Sequence, residues 1–449
     1  MDSLEPFAAM KSTSFLLGLL LAVLFQGTPA QARQSVELDL AGALARARDA
    51  NFAILMEREN VESLRQSARR ARAQLLPQVT ASATQSRAMQ PNVGGFTENL
   101  PGVPDRRFTN RFDALLRARL STLDATRLAD YRVARYDEEL AAFDLESTVQ
   151  DILEAIADAF FTHVRNLARL DVIAANIERD RALLELSENQ FEAGVATPID
   201  VTRAEVQLSQ NELALLQQET LVFESELRIK RILNIDLGAE LSVVPPPLSE
   251  AALDSARALG LQAVLRDNAE YQRATRTLER NEYARRATNW ERLPNLELTG
   301  EWGYASRSLT GDMREQWRIQ AGVSVPIFEG FRIQANQLQA DAAIRRQEFA
   351  VASLESELDA DLRLARQDLR SRFSQINIAR KQLELSEREL ELARTRFGEG
   401  VADNRDVVSA QANVAAAEDG VVEAEYFYNR ARLRLARVSG DVARIAGNN

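Results

Sequence analysis

Residues 191–201 read FEAGVATPIDV, and residues 397–407 read FGEGVADNRDV. Phe191, Gly194, Val195, Ala196, Asp200 and Val201 match Phe397, Gly400, Val401, Ala402, Asp406 and Val407 at one constant offset of 206 residues. In each copy a long helical pattern stops at a glycine and a new one begins a few residues later. Glycine closes a helix in the left-handed conformation without a Cβ penalty. Thr197 followed by Pro198 reads as an N-cap with proline in the first turn, and Asp403 takes the cap position in the second copy. Each stretch is therefore the tip of a helical hairpin: 193–200 in the first half and 399–406 in the second. A repeat of this size organises the whole chain.

The arms of both hairpins are written in sevens. Leu362, Leu369, Ile376, Leu383, Leu390 and Phe397 approach the second tip at seven-residue spacing, and Ile156, His163, Leu170, Ile177, Leu184 and Phe191 approach the first. Val201, Leu208, Leu215, Val222 and Ile229 return from one tip; Val407, Val414, Val421, Tyr428 and Leu435 return from the other. A strict seven-residue repeat imposes a left-handed supercoil. The outgoing arms, 127–192 and 332–398, contain no proline, and at 1.5 Å per residue each would span roughly 100 Å. Charged residues fill the remaining positions, as a solvated face requires. His163, the only histidine, sits on an otherwise apolar heptad position: a packed core residue first, and a register-setting polar residue second. No metal partners are spelled near it.

Two further segments repeat. Helical regions 38–76 and 250–293 end at Leu76-Pro77-Gln78-Val79 and Leu293-Pro294-Asn295-Leu296. Proline stops a helix and starts extended chain. Beyond each proline the chain alternates with period two, giving strands over about 79–87 and 108–120 in the first half, and 296–305 and 316–327 in the second. Leu296, Leu298, Trp302, Tyr304, Trp317, Ile319, Val323 and Val325 share one face; Glu297, Glu301, Arg318, Gln320 and Ser324 share the other. Strands of about ten residues cross an outer membrane, and Trp302, Tyr304 and Trp317 lie toward the loop ends, where membrane-interface aromatics belong. Four strands cannot close a barrel, and lipid forbids an open edge, so they must pair with strands of other copies. Residues 236–249, with Pro245-Pro246-Pro247, form a stiff linker between a first repeat (33–235) and a second (250–449).

The formal charge of −11 on 449 residues speaks against a nucleic-acid partner, and the absence of cysteine excludes disulfides and thiolate metal sites. Residues 1–32 read as a secretory signal peptide: Lys11, the apolar run Phe15 to Phe25, then Ala30-Gln31-Ala32. Asp2 and Glu5 suit such a signal poorly, so Met10 competes with Met1 as the start. No cysteine follows the apolar run to carry a lipid anchor. No nucleophile motif, phosphate loop or metal-ligand cluster is spelled, so no enzyme activity, cofactor or resident metal is expected.

This pattern resembles the TolC-like outer-membrane factors over nearly all of the mature chain. The specific pieces are the paired GVA tips, the LPQV and LPNL helix-to-strand joints, and VPIFEGFR at 325–332, which looks like the family's strand-exit motif with Phe331 in place of its second glycine. In the first half the counterpart, LSTLDATR at 120–127, lacks the glycine altogether. The resemblance implies a mainly α, mixed fold. Three protomers would share a 12-stranded transmembrane β-barrel continued by a long helical barrel through the periplasm. It implies a passive exit duct in an efflux or type I secretion system, partnered by a periplasmic adaptor and an inner-membrane pump.

It also implies sites. Aspartates at the second-half tip ring the closed pore in that family; Asp406 falls on one such position, while Ser409 stands at the other, and Asp200 is the first-half counterpart. Against this, Thr197 to Asp200 and Asp403 to Asp406 both have capping spacing, so each aspartate also suits a helix N-terminus, and the two roles are compatible. Gly194, Val195 and Ala196, with Gly400, Val401 and Ala402, would be where the adaptor docks; the competing reading is an ordinary glycine-terminated turn. The rival function is a soluble periplasmic coiled-coil scaffold or adaptor, which has no use for ten-residue strands apolar on one face.

Overall fold

The computed structural model describes residues 35–91, 106–121, 124–248, 251–399, 401 and 404–446. The signal-peptide reading and most of the loop at 88–107 lie outside the described residues. Two long hairpins dominate. Helix α3 (Ala125–Glu192) returns as α4 (Pro198–Ile232), and α8 (Arg332–Gly398) returns as α9 (Asn404–Val438). At 68 and 67 residues, α3 and α8 are each roughly 100 Å long. Helix α4 packs on α3, α3 on α9 and α9 on α8, so the four lie in the order α4-α3-α9-α8 with α4 and α8 outermost.

The sevens land where the supercoil needs them. Leu362, Leu369, Ile376, Leu390 and Phe397 are buried against Val407, Val414 and Tyr428. On α9 the adjacent positions Ala410, Ala417, Ala424 and Ala431, also seven apart, are buried, so large residues of α8 face small ones of α9. The first hairpin is different. Its contact face carries Asp180, Asn211, Gln218, Asn166, His163 and Ser225, joined by Asn211 Nδ2 donating to Asp180 Oδ2 (2.5 Å), Gln218 Nε2 to the Asn166 carbonyl (2.8 Å) and Asn166 Nδ2 to Ser225 Oγ (3.3 Å). Phe191, expected in the seam with Phe397, is instead 46% exposed.

His163 is a buried core residue whose Nδ1 lies 2.9 Å from Ser225 Oγ. Burial pushes its pKa down, with Glu226 opposing and Lys230 assisting. A base with a depressed folded-state pKa favours the fold above its unfolded value of about 6.5, and that contribution is lost as pH falls below it. The melting temperature of solubilised protein is therefore expected to drop between pH 8 and pH 5.5, and His163→Gln to flatten part of that dependence. An unchanged slope would mean that His163 does not carry it.

Short elements precede each strand pair. Helices α1 (Leu40–Ala50) and α2 (Phe52–Ala73) break at Asn51, whose side chain caps α2 by accepting from Ala53 N at 2.8 Å. The single helical region expected over 250–293 is divided into α5 (Ala251–Ala258), α6 (Leu261–Asp267), α7 (Ala269–Ala287) and a 3-10 turn (Thr288–Arg292). Gly260 separates the first two, and Asn268 caps α7 through Tyr271 N. One pairing was invisible locally. Strand β1 (Ser35–Leu38) pairs in parallel with β4 (Glu240–Val243), so part of the linker is a strand tying the start of the first half to the end of the first hairpin.

The main sheet runs β2-β3-β5-β6, all antiparallel: β2 (Gln78–Pro91), β3 (Arg106–Ser121), β5 (Asn295–Ser306) and β6 (Arg314–Ser324). The last strand stops at Ser324 rather than 327, because Pro326 has no N–H for a ladder. Gly330 (φ 58°) and Phe331 (φ 66°) then turn left-handed into α8. The backbone at Phe331 thus keeps the conformation a glycine would adopt freely.

Candidate functional site

Both faces of the sheet are defined by its register. Val79, Ala81 and Ala83 oppose Ala118, Leu116 and Ala114; these oppose Gly300, Trp302 and Tyr304; Leu296, Leu298 and Trp302 oppose Val323, Ala321 and Trp317. One face is thereby continuous and apolar, with Trp317, Ile319 and Val323 largely exposed. Trp302, Tyr304 and Trp317 come together at its loop end. The Trp302 and Tyr304 rings are 5.8 Å apart, and Trp302 Nε1 donates to Glu315 Oε1 at 2.9 Å. The opposite face is polar and charge-paired: Arg117 with Glu301 (2.7 Å), Arg119 with Glu297 (2.8 Å) and Arg111 with Asp113 (2.7 Å). Outer strands β2 and β6 each have one unpaired edge.

At the far end of the long helices the two tips meet. In the first, Gly194 takes φ 76°, and the N–H groups of Val195 and Ala196 both donate to the Gln190 carbonyl at 2.9 and 3.1 Å, closing α3. In the second, Val401 N donates to the Arg396 carbonyl at 3.0 Å. Val195 and Val401 are 64% and 68% exposed, an apolar side chain at the apex of each tip. Gly400, Ala402 and Asp403 lie outside the described residues. Beneath the tips Leu183, Ala204, Leu390, Phe397, Val407 and Ala410 form one apolar cluster drawn from both hairpins.

The two matched aspartates have different surroundings. Asp200 is buried; its Oδ2 accepts from Thr197 N at 2.9 Å and from Thr197 Oγ1 at 2.5 Å, and Arg203 stands 3.6 Å away. Its carboxylate is occupied by the start of α4. Asp406 is exposed on the first turn of α9, with Ser409 exposed one turn on, and its carboxylate takes no hydrogen bond or ion pair from a described residue. The sequence reading missed Asn404. It is fully buried, and its Nδ2 donates to Ser187 Oγ (3.1 Å) and to the Asp200 carbonyl (2.8 Å), tying the second tip to the first. Its signal was present as Asn404, Gln411 and Glu418, a polar run in sevens beside the apolar one. Among the described residues no group of His, Cys, Asp and Glu is placed to hold a metal ion, and no helix is long and apolar enough to cross a membrane.

Comparison with known proteins agrees with this geometry. The family profile described as outer membrane efflux protein matches residues 43–234 and again 260–441. The probable efflux pump outer membrane protein TtgC of Pseudomonas putida is 22% identical over 376 residues, covering 81% of this chain and 75% of that protein. The crystal structure of the outer membrane protein VceC of Vibrio cholerae superposes with a TM-score of 0.77 at 16% identity, covering 90% of this chain and 96% of that one. The Campylobacter jejuni CmeC outer membrane channel gives 0.78 at 17% identity over 89% and 85%. The matched regions cover both hairpins, both strand pairs and the joints between them, so the chain belongs to the outer membrane efflux protein family.

Proposed function

We propose that three copies of this chain close into one duct that carries cargo out through the outer membrane, as the exit component of an efflux or secretion pump. The observation that carries this is the sheet: four strands, one continuous apolar face, and an open edge at each side. An isolated sheet of this kind exposes unpaired backbone groups that lipid cannot satisfy. Three copies joined edge to edge would give a barrel of twelve strands with the charge-paired face lining water. Trp302, Tyr304 and Trp317 would sit at the outer membrane interface. The long helices, also open at both outer sides, would continue the duct through the periplasm to the tips. There Val195 and Val401, with Gly194, Ala196, Gly400 and Ala402, would meet a periplasmic adaptor that joins the duct to an inner-membrane pump. No observation favours the soluble-scaffold alternative, which leaves the apolar sheet face without a use.

In this reading three copies of Asp406 surround the periplasmic mouth. Like carboxylates held close repel, and a narrow acidic ring attracts cations. Divalent ions added on the periplasmic side of a planar bilayer are expected to block conductance. Asp406→Asn should weaken the block several-fold with the fold intact. Asp200→Asn should leave the block in place and lower thermal stability by about 1 kcal/mol, because that carboxylate caps α4. Ser409→Asp should strengthen the block. A block unchanged by Asp406→Asn would place the constriction elsewhere.

A further inference from the structure

The polar face of the main sheet is charge-paired over three of its strands, and the fourth upsets the balance. Each carboxylate on this face holds one arginine of β3: Glu297 holds Arg119, Glu301 holds Arg117 and Asp113 holds Arg111. Strand β2 adds only uncharged groups there, among them the hydroxyls of Thr80, Ser82, Thr84 and Ser86. Strand β6 adds Arg314 and Arg318 to the same face, and no acid. Among the described side chains this leaves a surplus of two positive charges per copy, five arginines against three carboxylates.

The two surplus arginines have no acid to turn to. Arg318 lies opposite Glu301 in the ladder, but that carboxylate is held from its other side by Arg117 at 2.7 Å. Arg314 is level with Asp113 across Ala305, and Asp113 is taken by Arg111 at 2.7 Å and by Gln316 Nε2 at 3.3 Å. Arg314 and Arg318 are both exposed, and neither makes a hydrogen bond or ion pair with a described residue. They stand four residues apart on one strand, about 13 Å, toward its loop end. The basic surplus is local, because the chain as a whole has a formal charge of −11 and its second tip exposes Asp406.

We propose, resting on the three-copy reading, that Arg314 and Arg318 form two stacked guanidinium rings inside the barrel and make the exit of the duct selective for anions, opposite in sign to the acidic periplasmic mouth. A guanidinium in contact with a carboxylate leaves only a short dipole, whereas an unpaired one acts over the screening length, about 10 Å at 0.1 M salt. Low-dielectric walls focus that field along the axis, and rings of arginine favour anions in pores. Chloride and solutes bearing carboxylate or phosphate groups are drawn to the exit, and polyvalent anions dwell there.

Single channels in planar bilayers test this. Protein added to one chamber inserts barrel first, because the long charged helices do not cross lipid, so the strand loops open to the far chamber. At about 0.1 M KCl, inorganic triphosphate in the far chamber should block conductance, and Arg314→Gln combined with Arg318→Gln should raise the half-blocking concentration about tenfold. Glu297→Gln, which frees Arg119 from its partner, should lower that concentration. In a KCl gradient the reversal potential of the double variant should move toward the potassium equilibrium potential. Conducting channels in which either the block or the reversal potential ignores the double variant would overturn the arginine rings. So would a block that weakens in Glu297→Gln, because pore shape rather than charge would then govern it. Well-folded monomers that form no channels would instead sink the three-copy reading.

Discussion

Ile319→Arg is expected to remove most of the assembled protein from the outer membrane, while Gln320→Arg, one residue on, leaves it in place. Ile319 lies in the middle of β6, opposite Gly300, and its side chain is 78% exposed on the apolar face. An arginine on the lipid face at the bilayer midplane costs about 2–4 kcal/mol, and every copy in the assembly carries it. Gln320 points to the charge-paired face, beside Arg318 and Glu301 across the ladder, where another guanidinium stays in water. The sequence-based strand at 316–327 would have put Val323 near the centre. With β6 ending at Ser324, Val323 sits at the margin, so Val323→Arg should lose only part of the protein. Membrane fractionation followed by a gel of unheated samples measures this. Equal losses for Ile319→Arg and Gln320→Arg would mean that the facing is reversed or the sheet is not in lipid.

Gly440→Ala is expected to cost about 2–4 kcal/mol, a large effect for a single methyl group, while Gly194→Ala costs about 1 kcal/mol. Both glycines close a helix with positive φ, 85° and 76°. A Cβ at Gly440 would stand 2.5 Å from the Asp267 carbonyl oxygen and 2.9 Å from Asn268 N, both backbone atoms. Neither can retreat, because Asn268 is the buried cap of α7. A Cβ at Gly194 meets nothing within 4 Å. Thermal unfolding of the two purified variants separates the cases. Similar losses would show that backbone strain alone matters and that α9 does not lean on the α6–α7 joint as described.

The long helices and the strand faces were legible because both are periodic, and periodicity survives in a single sequence. The rest depended on contacts between distant residues. Ser35–Leu38 is four residues long and finds its partner some 200 residues later at Glu240–Val243, a pairing no local pattern announces. Region 250–293 carries a helical composition throughout, but it is divided at Gly260 and at the Asn268 cap, and α6 and α7 each pack on α8. Asp200 and Asp406 are spelled alike and differ in fate. Asp200 is drawn under its own cap residue, and its carbonyl receives Asn404, whereas Asp406 stays exposed on the first turn of α9. The capping contact is present at Asp200, while at the second tip the cap position, Asp403, lies outside the described residues.

The proposed barrel and helical duct would both require closure by three copies. Native mass spectrometry of the detergent-solubilised protein measures that directly, with circular dichroism on the same sample to show that helices and strands are intact. A single species at three times the mass of the mature chain is the expected result. A species of one chain mass with the same helix and strand content would contradict it, because a folded four-stranded sheet with two open edges would then exist without neighbours to close it.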